Sequence, residues 1–240
     1  MDRVEGRARV MVVTGTGTEI GKTHASEALL RAVAMPGRRV AGLKPVETGV
    51  VPGVLTDAAR LAAVSTFHVK PSAHPTPDAA PYTFAQPISP HLAAREAGAP
   101  AIRVEAIRDY VARAAADGDV ILVELAGGLF SPISDTAFNA DVAACLAPDV
   151  TVLVAPDRLG VLHDVFGTVR AASTVPLRID AILLSAPESP DASTGRNGPE
   201  IRRLAPQAPV FELPRAAPQT LANDPAIRAF LRELGPRLGL

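Results

Sequence analysis

Short, nearly unbroken apolar runs alternate along this chain with stretches in which apolar residues recur every three or four positions. The runs at 8–14, 38–44, 119–124, 150–155, 179–184 and 209–212 predict strands, and 21–34, 57–65, 101–116, 160–173 and 196–205 predict helices between them. Val104, Ile107 and Val111 carry the helical spacing in the third helix, and Leu162, Val165, Phe166 and Val169 carry it in the fourth. Val120-Ile121-Leu122-Val123 and Val150-Thr151-Val152-Leu153-Val154 do not alternate with polar residues. A strand buried on both faces has no need to. The predicted architecture is α/β: a three-layer sandwich with a mostly parallel central sheet and helices on both faces.

One segment breaks the rhythm. Residues 69–100 hold Pro71, Pro75, Pro77, Pro81, Pro87 and Pro90, and a loop this long inside a compact domain is usually functional. Tyr82, Phe84 and Ile88 give it apolar groups to bury, which argues against an interdomain linker. The stretch 213–225 is again rich in proline and alanine and is expected to wrap the surface. No internal repeat or domain boundary is visible, so residues 1–240 are read as a single domain.

Residues Thr14-Gly15-Thr16-Gly17-Thr18-Glu19-Ile20-Gly21-Lys22-Thr23 join the first predicted strand to the first helix. A strand, a glycine loop ending in Gly-Lys-Thr and a helix form a phosphate cradle, the P-loop. Backbone N–H groups face the anion, Lys22 adds a point charge, and the Thr23 hydroxyl can ligate Mg²⁺. The loop implies a nucleoside triphosphate and a P-loop NTPase-type fold. It is one residue longer than the common pattern, because the position four residues clear of Gly21-Lys22 holds Thr16 and the usable glycine is Gly15. A plain glycine turn with a solvated Lys22 is the bland alternative. A dinucleotide fingerprint fits poorly: Gly15, Gly17 and Gly21 have the wrong last spacing, and the next strand ends in Lys44, not in an acid.

Ligands of open parallel sheets bind outside the carboxyl ends of the strands, so the polar residues there matter most. Strand 119–124 ends in Glu124, which could hold Mg²⁺ or pair with a lysine. Strand 38–44 ends in Lys44, which could reach a γ-phosphate or snorkel to solvent. Asp57 could cap the helix it opens or supply a second carboxylate for the metal. Among the histidines, His24, His68 and His74 have no metal-ligand spacing. His91 and His163 carry more weight because of the segments in which they lie.

Composition narrows the classes. The 240 residues are 48% hydrophobic and 20% charged with a net charge of −1, so the chain can bury an ordinary core and lacks the basic footprint of a nucleic-acid or membrane-surface binder. The single cysteine, Cys145, excludes an internal disulfide and is expected to be buried. Neither a membrane span nor the apolar core of a signal peptide is present, so a cytoplasmic protein is expected.

These residues together resemble the ATP-dependent dethiobiotin synthetases over most of the chain through about residue 170. The carriers are the glycine loop Val13–Thr23, Gly42-Leu43-Lys44-Pro45-Val46-Glu47-Thr48-Gly49, Pro81-Tyr82-Thr83-Phe84-Ala85-Gln86-Pro87-Ile88-Ser89-Pro90-His91 and Val123-Glu124-Leu125-Ala126-Gly127-Gly128. The long loop is itself a family trait. The resemblance implies that 7,8-diaminononanoate takes up CO₂ as a carbamate, that ATP phosphorylates it, and that the second amine closes the ureido ring to dethiobiotin. It implies Mg²⁺ on Thr23, Asp57 and Glu124, with Lys44, Lys22 and Thr18 as catalytic groups. Nucleotide contacts fall on Glu19, Ile20, Gly21, Lys22, Thr23, Asp57, Glu124, Ala126, Gly127, Ser185, Pro214 and Arg215. Thr48 would hold the carbamate or amine. In the family's homodimers the site lies between subunits, and Gly160, Val161, Leu162 and His163 match the helix start that receives the substrate carboxylate from the neighbour.

The chain departs from the family pattern at two places. Leu125 stands where a glycine is usual beside the triphosphate, and Ser185-Ala186 stands where Asn-Asp reads the adenine edge. The second change leaves nucleotide choice open. Rival readings are a P-loop ATPase switch, an amidotransferase-type synthetase domain, and a nucleotide-binding paralogue without synthetase activity. The switch would carry an extra lysine near Gly17, which is absent here. The amidotransferase would need a reactive cysteine on a partner.

Overall fold

A computed structural model describes residues 7–67, 69, 81–204 and 207–240. From the N-terminus the chain forms β1 (Arg9–Gly15), α1 (Lys22–Val33), β2 (Val40–Leu43), β3 (Val46–Thr48) and α2 (Asp57–Val64). Then come β4 (Tyr82–Phe84), α3 (Pro90–Glu96), α4 (Val104–Asp117), β5 (Val120–Glu124), α5 (Asn139–Leu146) and β6 (Val150–Pro156). The last elements are α6 (Val161–Ala172), β7 (Ala181–Ser185), α7 (Asn197–Leu204), β8 (Val210–Leu213), α8 (Pro218–Leu221), α9 (Pro225–Leu234) and a closing 3-10 turn, Gly235–Leu238.

Six strands form one parallel sheet in the order β2-β5-β1-β6-β7-β8, and β3 pairs with β4 as a small parallel ribbon. Alternate residues of each strand feed two separate cores. Val10, Val12, Ile121, Val123 and Leu153 pack with α3 to α7; Met11, Val13, Leu122, Val152 and Leu183 pack with α1 and α9. Apolar side chains on both faces are therefore removed from water, which is what the non-alternating runs require. Every main-sheet strand points its carboxyl end to the same edge.

The opposite edge is braced by three aspartates, each one residue ahead of a strand. Asp119 accepts the Arg39 amide at 2.9 Å, Asp149 the Val10 amide at 2.8 Å and Asp180 the Thr151 amide at 2.9 Å. Asp149 also pairs with Arg9 at 2.9 Å, and Asp180, only 3% exposed, with Arg237 at 2.6 Å. The carboxylates satisfy strand amides that the ladder leaves open.

Sequence reading and structure differ in particular places. Within 69–100, β4 and α3 occupy part of what was read as loop. Phe84 is buried, with Tyr82 and Ile88 packed against the core; Pro71, Pro75, Pro77, His68 and His74 lie outside the described residues. The helices α5 and α9 were not expected. α5 is short and apolar nearly all round, and α9 begins behind an Asp224 cap in a stretch whose prolines read as loop. Cys145 is exposed, because α5 turns Val142, Ala143 and Leu146 inward instead. Among the described residues no helix is long and apolar enough to cross a membrane.

The Asp180 brace gives a direct test. Asp180→Ala leaves the buried Thr151 amide and the Arg237 guanidinium without their acceptor, so denaturant unfolding should show a loss of about 2–3 kcal/mol. A change below about 0.5 kcal/mol would mean that water replaces the carboxylate at no cost.

Candidate active site

The P-loop sits between β1 and α1. Gly21 takes φ +89°, and a Cβ there would stand 2.5 Å from Ser185 Oγ, so only glycine suits this corner. Thr16 donates to the Val154 carbonyl at 3.1 Å and Leu129 donates to the Gly15 carbonyl at 2.9 Å, which pins the loop to two strands' ends. A Cβ on Gly128 would come 3.3 Å from the Gly15 carbonyl, so the 125–129 turn lies directly against the loop. The first turn of α1 has no side-chain cap and no acidic residue. Its leading N–H groups remain available to an anion.

Lys22 is 6% exposed and donates to the Gly17 carbonyl at 2.5 Å. Burial pulls its pKa down to about 8, which Glu124 only partly offsets and the Lys44 charge reinforces. Thr23 donates its hydroxyl to Glu124 Oε1 at 2.7 Å.

Lys44 does not snorkel. It is 7% exposed, its Nζ stands 2.9 Å from Glu124 Oε1, and it donates to Asp57 Oδ2. Burial opposes its charge, but Glu124 and Asp57 outweigh burial and raise its pKa. Burial also pushes against ionisation of Asp57, yet Lys44, the Thr23 hydroxyl and Arg60 hold its pKa low. The cap of α2 is Thr56, whose Oγ1 accepts the Ala59 amide at 3.1 Å, so Asp57 is free of that duty and faces the lysine. Sequence reasoning passed over Glu47, whose buried carboxylate accepts the Asp57 and Ala58 amides at 2.6 and 3.1 Å. Its position three residues after Lys44, beside Thr48, was the available signal.

Glu124 is fully buried, and its Oε2 has no hydrogen-bond partner among the described residues. An unpartnered buried carboxylate oxygen is costly. Hard oxygen donors from Thr23, Asp57 and Glu124 meet at this point, a set that suits Mg²⁺. Asp57 and Glu124 already share the Lys44 ammonium, so a divalent ion entering there competes for oxygens that a cation holds.

Two clefts meet along Glu19, Ile20, Gly21 and His24. One, of about 790 Å³, gathers Thr18, Lys22, Thr23, Lys44, Thr48, Asp57, Glu124, Ala126 and Gly127. The other, of about 750 Å³, is walled by Ser185, Pro214 and Arg215, with Arg215 paired to Glu188 at 3.3 Å across exposed side chains. Leu125 is buried in the core and lines neither cleft. Ser89 and Pro90 reach the Lys44 cleft, whereas His91 Nδ1 meets Ser89 Oγ at 3.0 Å. Gly160, at φ +96°, starts α6, with Val161 buried and His163 exposed. None of Gly160, Val161, Leu162 and His163 lines either cleft of this chain.

A second pair of carboxylates ties the β6–α6 and β7–α7 loops together. Asp157 accepts Asn197 Nδ2 and the Gly195 amide, each at 2.7 Å, and Asp191 accepts the Leu159 amide at 2.8 Å. The wall of the second cleft is thereby braced.

The family described as AAA domain matches residues 9–221. An ATP-dependent dethiobiotin synthetase of Anaeromyxobacter sp. (strain K) is 39% identical, with 96% of this chain and 97% of the relative covered. One of Ralstonia nicotianae is 38% identical, covering 85% and 87%. The chain belongs to the dethiobiotin synthetase family. As a dethiobiotin synthetase family member it is an ATP-dependent ligase of biotin biosynthesis. Among solved structures, a ParA family ATPase from Chlorobium tepidum aligns with a TM-score of 0.51 at 14% identity, covering 96% of both chains, and shares the fold.

The depressed Lys22 pKa gives this synthetase a pH signature. Without nucleotide, Lys22 loses its proton near pH 8; a triphosphate beside it restores the charged form. Nucleotide binding should therefore take up about half a proton at pH 8 and little at pH 6.5, with affinity falling as pH rises further. Calorimetry in buffers of different ionisation enthalpy reads this directly, and an uptake that stays flat from pH 6.5 to 9 contradicts it.

Proposed function

We propose that this chain carboxylates 7,8-diaminononanoate with CO₂ and closes the ureido ring of dethiobiotin at the expense of ATP, in the cytoplasm. The observation that supports it best is the buried Lys44, held by Asp57 and Glu124 beside an open P-loop. One amine adds to CO₂ and loses a proton, giving a carbamate anion. A carbamate oxygen takes the γ-phosphoryl group from ATP, releasing ADP. The second amine then attacks the carbonyl carbon, phosphate leaves with the C–O bond electrons, and the nitrogen loses its proton.

Phosphoryl transfer and ring closure ask the protein for positioning and charge more than for a covalent intermediate. The α1 amides and Lys22 take the β- and γ-phosphates. Lys44 faces the carbamate oxygens and the phosphoryl in transit, where a desolvated ammonium is most effective. Thr18 and Thr48 hydrogen-bond the carbamate or amine in the same cleft. Mg²⁺ on Thr23, Asp57 and Glu124 would supply further positive charge to the phosphates. The second cleft takes the base on Ser185, Pro214 and Arg215. Gly160 to His163 line neither cleft of their own chain, so their uncapped helix start would serve the carboxylate of a substrate bound to the other subunit of a homodimer.

Protein supplied with ATP, Mg²⁺, bicarbonate and the diamine should release ADP and form the cyclic urea. Nucleotide hydrolysis indifferent to the diamine would refute the synthetase reading. Lys44→Ala should leave nucleotide affinity within a few-fold and lower turnover by about a hundredfold or more.

Base choice is a separate matter. Among the described residues no Asn or Gln side chain lines the base cleft, so none of them presents an amide's paired donor and acceptor there. ATP, CTP and GTP should compete within about tenfold of one another, since a site that hydrogen-bonds one base edge rejects others far more strongly. A hundredfold preference for ATP in competition would show that backbone groups read the adenine.

A further inference from the structure

Glu47 lies on β3 at the floor of the Lys44 cleft, 7% exposed. Among the described residues no lysine or arginine pairs with it. Its charge is met by the start of α2: Oε1 accepts the Asp57 amide at 2.6 Å and Oε2 the Ala58 amide at 3.1 Å. With Thr56 Oγ1 accepting the Ala59 amide, the first three N–H groups of α2 are all satisfied. Both Glu47 oxygens thus anchor the backbone at the start of α2.

What Glu47 holds is informative. The amide it grips most closely belongs to Asp57, whose carboxylate meets Lys44, and Lys44 in turn meets Glu124. Thr56 already provides an ordinary helix cap, so a second, buried carboxylate at this helix start has a more local effect. It fixes the first residue of the helix against the strand that leads from Lys44. Two charges on separate elements are tied through one rigid joint, and an ion or phosphoryl site tolerates little slack in such groups.

We propose that Glu47 is a positioning residue of the phosphoryl-transfer site: by accepting the two leading amides of α2 it sets where the Asp57 carboxylate stands relative to Lys44 and Glu124. The proposal rests on the reading of Asp57 as an ion ligand. Glu47→Gln keeps the shape but turns an amide N–H₂ toward a backbone N–H, so the joint loosens. Thr56→Ala is the comparison, because it weakens the same helix start without releasing the Asp57 amide.

The experiment measures the Mg²⁺ concentration that gives half of the ATP-dependent rise in Tm, together with kcat and the KM for ATP. Glu47→Gln should raise the Mg²⁺ midpoint and lower kcat, each by about tenfold, with KM changed less than threefold. Thr56→Ala should lower Tm and leave the Mg²⁺ midpoint in place. In an Asp57→Asn background, adding Glu47→Gln should move the midpoint no further while still costing Tm, because the group it positions has gone. An unshifted midpoint in Glu47→Gln, an equal shift in Thr56→Ala, or simple addition of the two effects in the double variant would each overturn the proposal. A wild type that binds Mg²⁺ and ATP yet forms no cyclic urea would sink the synthetase reading and leave the ion measurement standing.

Discussion

Every group at this site is arranged around a charge imbalance that the protein alone does not resolve. Lys44 is well supplied, with Asp57 and Glu124 on its ammonium. Lys22, at the end of the cradle, donates to the Gly17 carbonyl, and burial outweighs the Glu124 and Asp57 charges, so it loses part of its hold on a proton. Glu124 shows the opposite deficit, an Oε2 buried without a donor among the described residues. A bare triphosphate would meet the demand of Lys22 and aggravate that of Glu124. A triphosphate arriving with a divalent cation meets both, and this complementarity is a stronger pointer to the ligand than the loop's spacing by itself. Such a ligand also stabilises the folded chain, since the unfolded one has no comparable site.

The fold tolerates that deficit because the site stands on rigid parts. β5 is 0% exposed throughout, and Glu124 is its last residue, so the carboxylate cannot swing out to water. β1 delivers Gly15 next to it, paired in register with β5 and β6. Lys44 and Asp57 come from the edge of the sheet and from α2, where the hold is looser by nature. Glu47 and the β3–β4 ribbon supply the missing constraint there. The aspartates at the far edge anchor the other ends of the same strands, so that both edges of the sheet are fixed by carboxylates accepting backbone amides.

Much of this was legible in the chain, for identifiable reasons. Doubly apolar strands such as 150–154 announce a parallel sheet, and the strand-loop-helix context of Lys22-Thr23 announces phosphate binding. Lys44, Asp57 and Glu124 were each visible as polar residues at element ends, but each had a plausible dull role, and only three-dimensional convergence removes it. Glu47 escaped because a carboxylate that serves backbone amides leaves no spacing signature. α9 escaped because prolines that break helices in mid-course also open them at the first position. Cys145 was misjudged because burial of a residue in an apolar helix depends on which way the helix faces, and α5 is apolar nearly all round.

Gly160 to His163 stand beside the base cleft without lining it. Within one chain, the uncapped start of α6 shares no cleft with Lys44, yet it is held in place with unusual care: Asp191 binds the Leu159 amide while Asp157, at the end of β6, reaches back to Gly195 and Asn197. Of these bonds only the one from Leu159 to Asp191 is exposed; Asp157 and Asn197 are buried, so their bond contributes to stability as well. The set also has a geometric effect. They lock the α6 start to the wall of the base cleft, so that any group received there is held at a fixed distance from the nucleotide pocket of the same subunit.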